Sequence, residues 1–168
     1  DIDNDNASFS EGTLTDVMAV NDGLELAMEP TFSFSKQITI DSNLIDSNLT
    51  NYPVMVKLNN TNFDFTRVRS NGYDIKFVDD NDNLLDFERA YFDKDELRAV
   101  FHVRIPTVSS SSNTTFKMRY GKSEQSIDLQ NVSGVWDSNF LMVQHMGDSL
   151  TDSTSNNNDG DNNGSTIV

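Results

Sequence analysis

A chain of 168 residues is long enough to bury a core without covalent staples, and the absence of cysteine rules out disulfides, thiolate metal sites and thiol nucleophiles. The formal net charge of −15, with a pI near 4.2, excludes nucleic acid as a partner, because phosphate binding is built from clustered Lys and Arg. The same charge disfavours anionic lipid and favours cations, and with no apolar run of membrane-spanning length no direct membrane insertion is expected.

In chain order, extended segments dominate. The opening Asp-Ile-Asp-Asn-Asp-Asn carries no signal peptide, so the sequence reads as a processed chain or an excerpt of a longer one. Residues 14–20 and 24–28 flank Asn21-Asp22-Gly23, which has the turn chemistry of an N-terminal hairpin. Residues 36–40 set Ile38 and Ile40 on one face. Val54, Val56 and Leu58 alternate with Met55 and Lys57. At 69–77 the stretch RSNGYDIKF joins Asn71-Gly72, a strong turn signal because both residues tolerate positive φ, to a half-buried strand; the pattern reads as a hairpin, not a pocket. Leu85 and Phe87 alternate with Asp86 and Glu88 beyond a second polar turn at 79–83. The clearest strand is 97–105, where Leu97, Ala99, Phe101, Val103 and Ile105 oppose Arg98, His102 and Arg104. A period of two means one dry face and one wet face. Residues 115–120 repeat it, with Phe116, Met118 and Tyr120 opposite Lys117 and Arg119.

Strands at regular spacing, separated by Asn, Asp, Gly and Ser, predict an all-β fold. It is an antiparallel β-sandwich, jelly-roll-like, with an extra N-terminal hairpin and a C-terminal tail. The expected organisation is an N-terminal strand segment at 1–30, the sandwich at 31–122 and a linker at 123–137. A tail at 138–168 follows, carrying the apolar stretch 140–146 as a terminal strand. The composition of 148–164, rich in Asp, Asn, Ser and Gly, cannot build a core alone.

Several constellations could carry chemistry. Asp148, Asp152, Asp159 and Asp161 offer hard oxygens in one loop, so calcium is the cofactor to which the sequence points. Asp1, Asp3 and Asp5 begin like a calcium loop but lack Gly at the sixth place and Glu at the twelfth. Glycan recognition needs an aromatic platform beside polar donors, for which Tyr52, Tyr73, Tyr91 and Trp136 are the candidates. Core or domain-junction packing is the competing role for each. Asn6, Asn48, Asn59, Asn113, Asn131 and Asn163 head Asn-x-Ser/Thr sequons, the acceptor pattern for N-glycosylation. Asp86 and Glu88 lie two apart on one strand face, where acid–base chemistry is one reading and a wet, salt-bridged face the simpler one. His102 and His145 lack metalloprotease spacing and read as solvent-facing or packed histidines.

The stretch RSNGYDIKF also resembles the signature R-S-[DN]-G-x-D-I-[RK]-F of an uncharacterised family of bacterial and archaeal surface domains, a domain of unknown function. Lys36-Gln37-Ile38-Thr39-Ile40, Asn51-Tyr52-Pro53-Val54-Met55-Val56, Leu84-Leu85-Asp86-Phe87-Glu88, Val103-Arg104-Ile105-Pro106 and Met118-Arg119-Tyr120-Gly121 are similar to its other strands, in order. The family places Trp ahead of the opening strand, where this chain has Phe32 and Phe34. The resemblance implies a β-sandwich module of a large extracellular protein, followed by a concanavalin A-like, laminin-G-like domain. The start of that neighbour is similar to Val135-Trp136-Asp137 and to Asp152-Ser153-Thr154-Ser155-Asn156-Asn157-Asn158-Asp159-Gly160. The expected role is a non-enzymatic, adhesive or display module on a prokaryotic cell surface, with surface glycans or neighbouring subunits as partners. The alternatives are a subunit of a surface filament or layer assembling by strand addition, and an accessory module of a polysaccharide-degrading enzyme.

Overall fold

The structure, a computed structural model, describes residues 31–146 and 149–164. The expected hairpin at 14–28, Asp1, Asp3, Asp5, Asn6 and Asp148 lie outside the described residues. Within the unit Phe32–Val168, six strands build two antiparallel three-stranded sheets. One sheet holds β1 (Phe34–Ile40), β3 (Ile75–Val78) and β6 (Thr114–Tyr120), with β6 in the middle. The other holds β2 (Leu49–Asn59), β4 (Phe87–Asp93) and β5 (Arg98–Val108), with β5 in the middle. This is the all-β sandwich that the alternation predicts.

Alternation decides what is buried. In β5, Ala99, Phe101, Val103 and Ile105 are buried, while His102 and Arg104 lie on the opposite face. Aromatic rings from both sheets lock the interior. Phe77 of β3 meets Phe87 of β4 and Phe101 of β5 edge-on at 5.4 and 5.3 Å, and Phe116 of β6 at 6.3 Å. Such pairs add about 0.5–1.5 kcal/mol each beyond area burial. Leu97, expected to open β5 on its dry face, instead sits before the strand at φ 55°, 38% exposed. Its N–H donates to Lys94 O, closing the turn from β4, and turn geometry overrides the alternation there.

The stretch at 69–77 is a turn but not a hairpin. β3 pairs with β6, while β2 pairs with β5 in the other sheet. The turn therefore carries the chain between sheets. Gly72 has φ 66°, and a Cβ on it would lie 2.9 Å from the Phe92 ring. The Asn71 side chain accepts from the Tyr73 N–H at 3.1 Å, and buried Asp74 accepts from the Arg69 N–H at 2.9 Å. These polar residues serve the backbone of the turn itself.

The sequence continues past β6 into a third layer. Residues 123–137, read above as a linker, run beside the outer edge of β4. The Asn131 N–H donates to Phe87 O at 3.0 Å, and the Arg89 N–H donates to Gln130 Oε1 at 3.0 Å. Arg89 also grips Asp128 with two guanidinium nitrogens, the shorter contact 2.6 Å. This contact caps an edge that would otherwise expose unpaired backbone groups. A single helical turn, α1 (Val132–Val135), then lifts the chain onto the outer face of the β2–β5–β4 sheet. Gly134 fits there because a Cβ would fall 2.4 Å from Asn131 Nδ2 and 2.6 Å from Asp86 Cγ. Among the described residues, no helix is long and apolar enough to cross a membrane.

Candidate functional site

Register brings the central residues together. Glu88 of β4 lies opposite His102 of β5, which lies opposite Met55 of β2. Since Phe87, Val103 and Val54 point to the interior side, this row faces outward. It is not the wet face expected for Asp86 and Glu88: Glu88 is 5% exposed, because the third layer packs over it. Asp86 stays at the margin, where it accepts from Asn131 Nδ2 at 2.8 Å and lies 3.7 Å from Arg104 Nη1.

Four side chains converge on the Glu88 carboxylate. Trp136 Nε1 donates to Oε2 at 2.7 Å, and Ser153 Oγ donates to Oε1 at 2.5 Å. His145 Nε2 is 3.0 Å from Oε1, and His102 Nδ1 is 3.9 Å from Oε2. The two imidazoles stack, with centroids 5.1 Å apart and planes 13° from parallel. Trp136 lies against His102 at 5.1 Å and meets Phe140 edge-on at 5.1 Å. Burial, then the neighbouring His145, holds the His102 pKa below 6.5, with Glu88 opposing them. His102 Nδ1 is buried and finds no hydrogen-bond partner among the described residues. Glu88, His102 and His145 are also the described side chains whose ligand atoms are close enough to share a metal ion.

His145 and Ser153 are held in place by a loop tied through its own side chains. The Asp152 carboxylate accepts from the N–H groups of Val143, Thr154 and Asn158, each at 2.9 Å, and from Thr154 Oγ1 at 2.8 Å. Burial acts to raise its pKa, but these donors outweigh it and lower the pKa from 3.8 to about 2. Asp159 accepts from the Asp152 N–H at 2.8 Å. Asn158 Nδ2 donates to Leu141 O, and Gln144 Nε2 donates to the carbonyls of Leu150 and Asn158. The oxygens of Asp152 are thus taken up by protein donors, unlike those of a hard-cation cradle, and Asp161 is exposed at the loop's end. Residues 140–146 form no strand; Phe140 plugs against Trp136, while Leu141, Met142 and Met146 are exposed.

The aromatic candidates separate. Trp136 is a buried cap over Glu88 and His102. Tyr73 lies under the Arg89 guanidinium, 5.0 Å from its ring centroid. Tyr52 is 48% exposed on β2. Tyr91 borders a cleft of about 810 Å³ between β4 and the third layer, with Arg89, Asp93, Gln130, Asn131 and Thr151 on its walls. Its hydroxyl donates to Glu96 at 2.7 Å, a bond that raises the phenol pKa and keeps it neutral. Glu88 and His145 line the same cleft.

The sequon asparagines Asn48, Asn59, Asn113, Asn131 and Asn163 are all exposed. Asn48 accepts from Ser110, Asn113 from Ser42 and Asn59 from Thr61 through the amide oxygen, whereas the Asn131 amide nitrogen is bonded to Asp86.

Sequence reasoning kept Glu88, His102 and His145 apart and did not single out Ser153. The β4–β5 register was the missing fact; with it, an acid and a histidine fall opposite each other on an outward face. A family model described as a domain of unknown function, DUF2341, matches residues 71–158, just over half of the chain. The match takes in Glu88, His102, Trp136, His145 and Ser153 but not β1 or β2. No curated protein and no solved structure matches the chain.

Proposed function

The chain belongs to the family of the domain of unknown function DUF2341, and from that premise we propose that it is a non-enzymatic display module of a prokaryotic surface or secreted protein that takes a polar glycan in the cleft beside β4. The observation that carries this reading is the wall of the cleft. The Tyr91 ring, with Phe92 next to it, stands beside amide, hydroxyl, carboxylate and guanidinium groups from Asn131, Gln130, Thr151, Asp93 and Arg89. An apolar face flanked by convergent polar groups suits a sugar ring.

Binding is favoured over glycoside hydrolysis by the state of Glu88. Glu88 is only 5% exposed beneath the third layer, whereas a catalytic acid or base must meet the scissile bond directly. The strongly acidic surface keeps such a module soluble and away from anionic membranes. A glycan array followed by ligand-observed NMR tests the reading. It predicts hits that weaken at least tenfold in Tyr91→Ala and are indifferent to Tyr52→Ala, which lies off the cleft. Silence across the array, or equal loss in both variants, would remove the cleft as the binding site.

A further inference from the structure

The geometry points to a binding site for one late first-row divalent ion, zinc by preference, formed by Glu88, His102 and His145. The assignment does not rest on a glycan being bound, and two of its ligands, Glu88 and His145, also line the cleft. One ligand atom from each side chain lies within 4.8 Å of the other two. Zn–N and Zn–O bonds of about 2.0–2.2 Å place tetrahedral ligand atoms about 3.3 Å apart. Glu88 faces the two histidines through different oxygens, with His145 Nε2 3.0 Å from Oε1 and His102 Nδ1 3.9 Å from Oε2, so a shared ion would draw the three ligand atoms together by up to about 1.5 Å.

Two further observations support a ligand at this point. His102 Nδ1 is buried without a hydrogen-bond partner among the described residues. Buried polar atoms are nearly always satisfied, so an orphaned imidazole nitrogen facing a carboxylate calls for an acceptor of its lone pair. The carboxylate is itself oriented by Trp136 Nε1 and Ser153 Oγ, the outer-shell hydrogen bonding that metal-ligating carboxylates receive. Two imidazoles and one carboxylate suit zinc, copper, nickel or ferrous iron, whereas calcium and magnesium prefer shells of oxygen ligands. Glu88 and His145 border the cleft, so a fourth, water ligand can reach the ion.

The ligands come from β4, β5 and the loop beyond Phe140. An ion bound there would staple the third layer to the sandwich and link metal supply to the order of the cleft wall.

The test uses the full chain without a histidine tag, in 150 mM salt to screen the acidic surface, roughly the ionic strength at which the Debye length is about 8 Å. Calorimetric titration with zinc, nickel, calcium and magnesium is paired with the visible spectrum of the cobalt-loaded protein. The expected result is one zinc per chain, no comparable heat from magnesium or calcium, and cobalt bands of a low-coordinate N/O site. His145→Gln and His102→Gln, which keep size and polarity, should each lower zinc affinity at least tenfold and abolish the cobalt bands. Absence of stoichiometric zinc binding to the unmodified chain would overturn the assignment. So would binding that survives unchanged in both variants. The cobalt spectrum of the unmodified chain decides independently of whether either variant folds.

Discussion

Removing Trp136 probes the third layer most sharply. Its indole is 7% exposed, donates to Glu88 at 2.7 Å and packs on His102 and Phe140. A buried Trp hides about 150–250 Å², which at about 25 cal/mol per Å² gives about 4–6 kcal/mol against an extended chain, an upper bound. Leaving Glu88 Oε2 without its donor costs about 1–3 kcal/mol more. Partial collapse of the site and a compact unfolded reference bring the expected cost of Trp136→Ala to about 3–5 kcal/mol. That cost should fall on the third layer, because the core cluster between the sheets is built from other residues, such as Phe77, Phe87 and Phe101. Hydrogen exchange resolves the two regions. The amides of Asn131, Val143 and Ser153, bonded to Phe87 O, Asp152 Oδ1 and Val143 O, should lose protection while those of β5 keep it. Trp136→Phe retains most of the packing and removes the donor, so it should cost about 1.5–3 kcal/mol, the range for a hydrogen bond to a charged group. If the three amides exchange as slowly in Trp136→Ala as in the unmodified chain, or if β5 opens to the same extent, the layered description fails.

Gly134→Ala should displace the Asn131 and Asp86 side chains and break their 2.8 Å hydrogen bond, since its Cβ would fall 2.4 Å from Asn131 Nδ2 and 2.6 Å from Asp86 Cγ; unchanged exchange at Asn131 would count against that contact. Phe101→Ala, at 0% exposure beside Phe77 and Phe87, should cost about 3–5 kcal/mol of global stability, read as a lower urea midpoint at constant slope. The Asp152 pKa is lowered from 3.8 to about 2, so its contribution is fully present above the ordinary carboxylate value and is lost as pH falls through the folded value. Protection of the Val143, Thr154 and Asn158 amides should therefore hold from neutral pH to about 4 and fall toward 2. Asp152→Asn should start lower at neutral pH and show a flatter acid response. A parallel acid profile would show that Asp152 does not govern the loop.

The sandwich was legible because burial imposed a period of two. Ala99, Phe101, Val103 and Ile105 read as a dry face and are one. Phe116 and Met118 do likewise in β6. The hairpin reading of Asn71-Gly72 failed because a turn signal fixes local φ and not the sheet to which the next strand goes; β3 joined β6. Leu97 failed for a related reason, its place in the alternation yielding to a left-handed turn residue. The third layer was hidden because hydrophobic patterning does not drive it. Its order comes from Asp152, Asn156, Asn158 and Gln144 bonding to nearby backbone, and such residues read in sequence as solvated loop. The cluster on Glu88 was hidden for a third reason. Ser153 is 65 residues from Glu88, and neither histidine acquires meaning until β4, β5 and the loop are superposed in space.

Trp136 is the sole tryptophan of the chain, so its fluorescence reports the docking of the third layer without labels. The native protein should emit at short wavelength and resist acrylamide quenching, with both properties lost on unfolding. Emission and quenching matching free indole in the native protein would contradict a layer packed over Glu88 and His102.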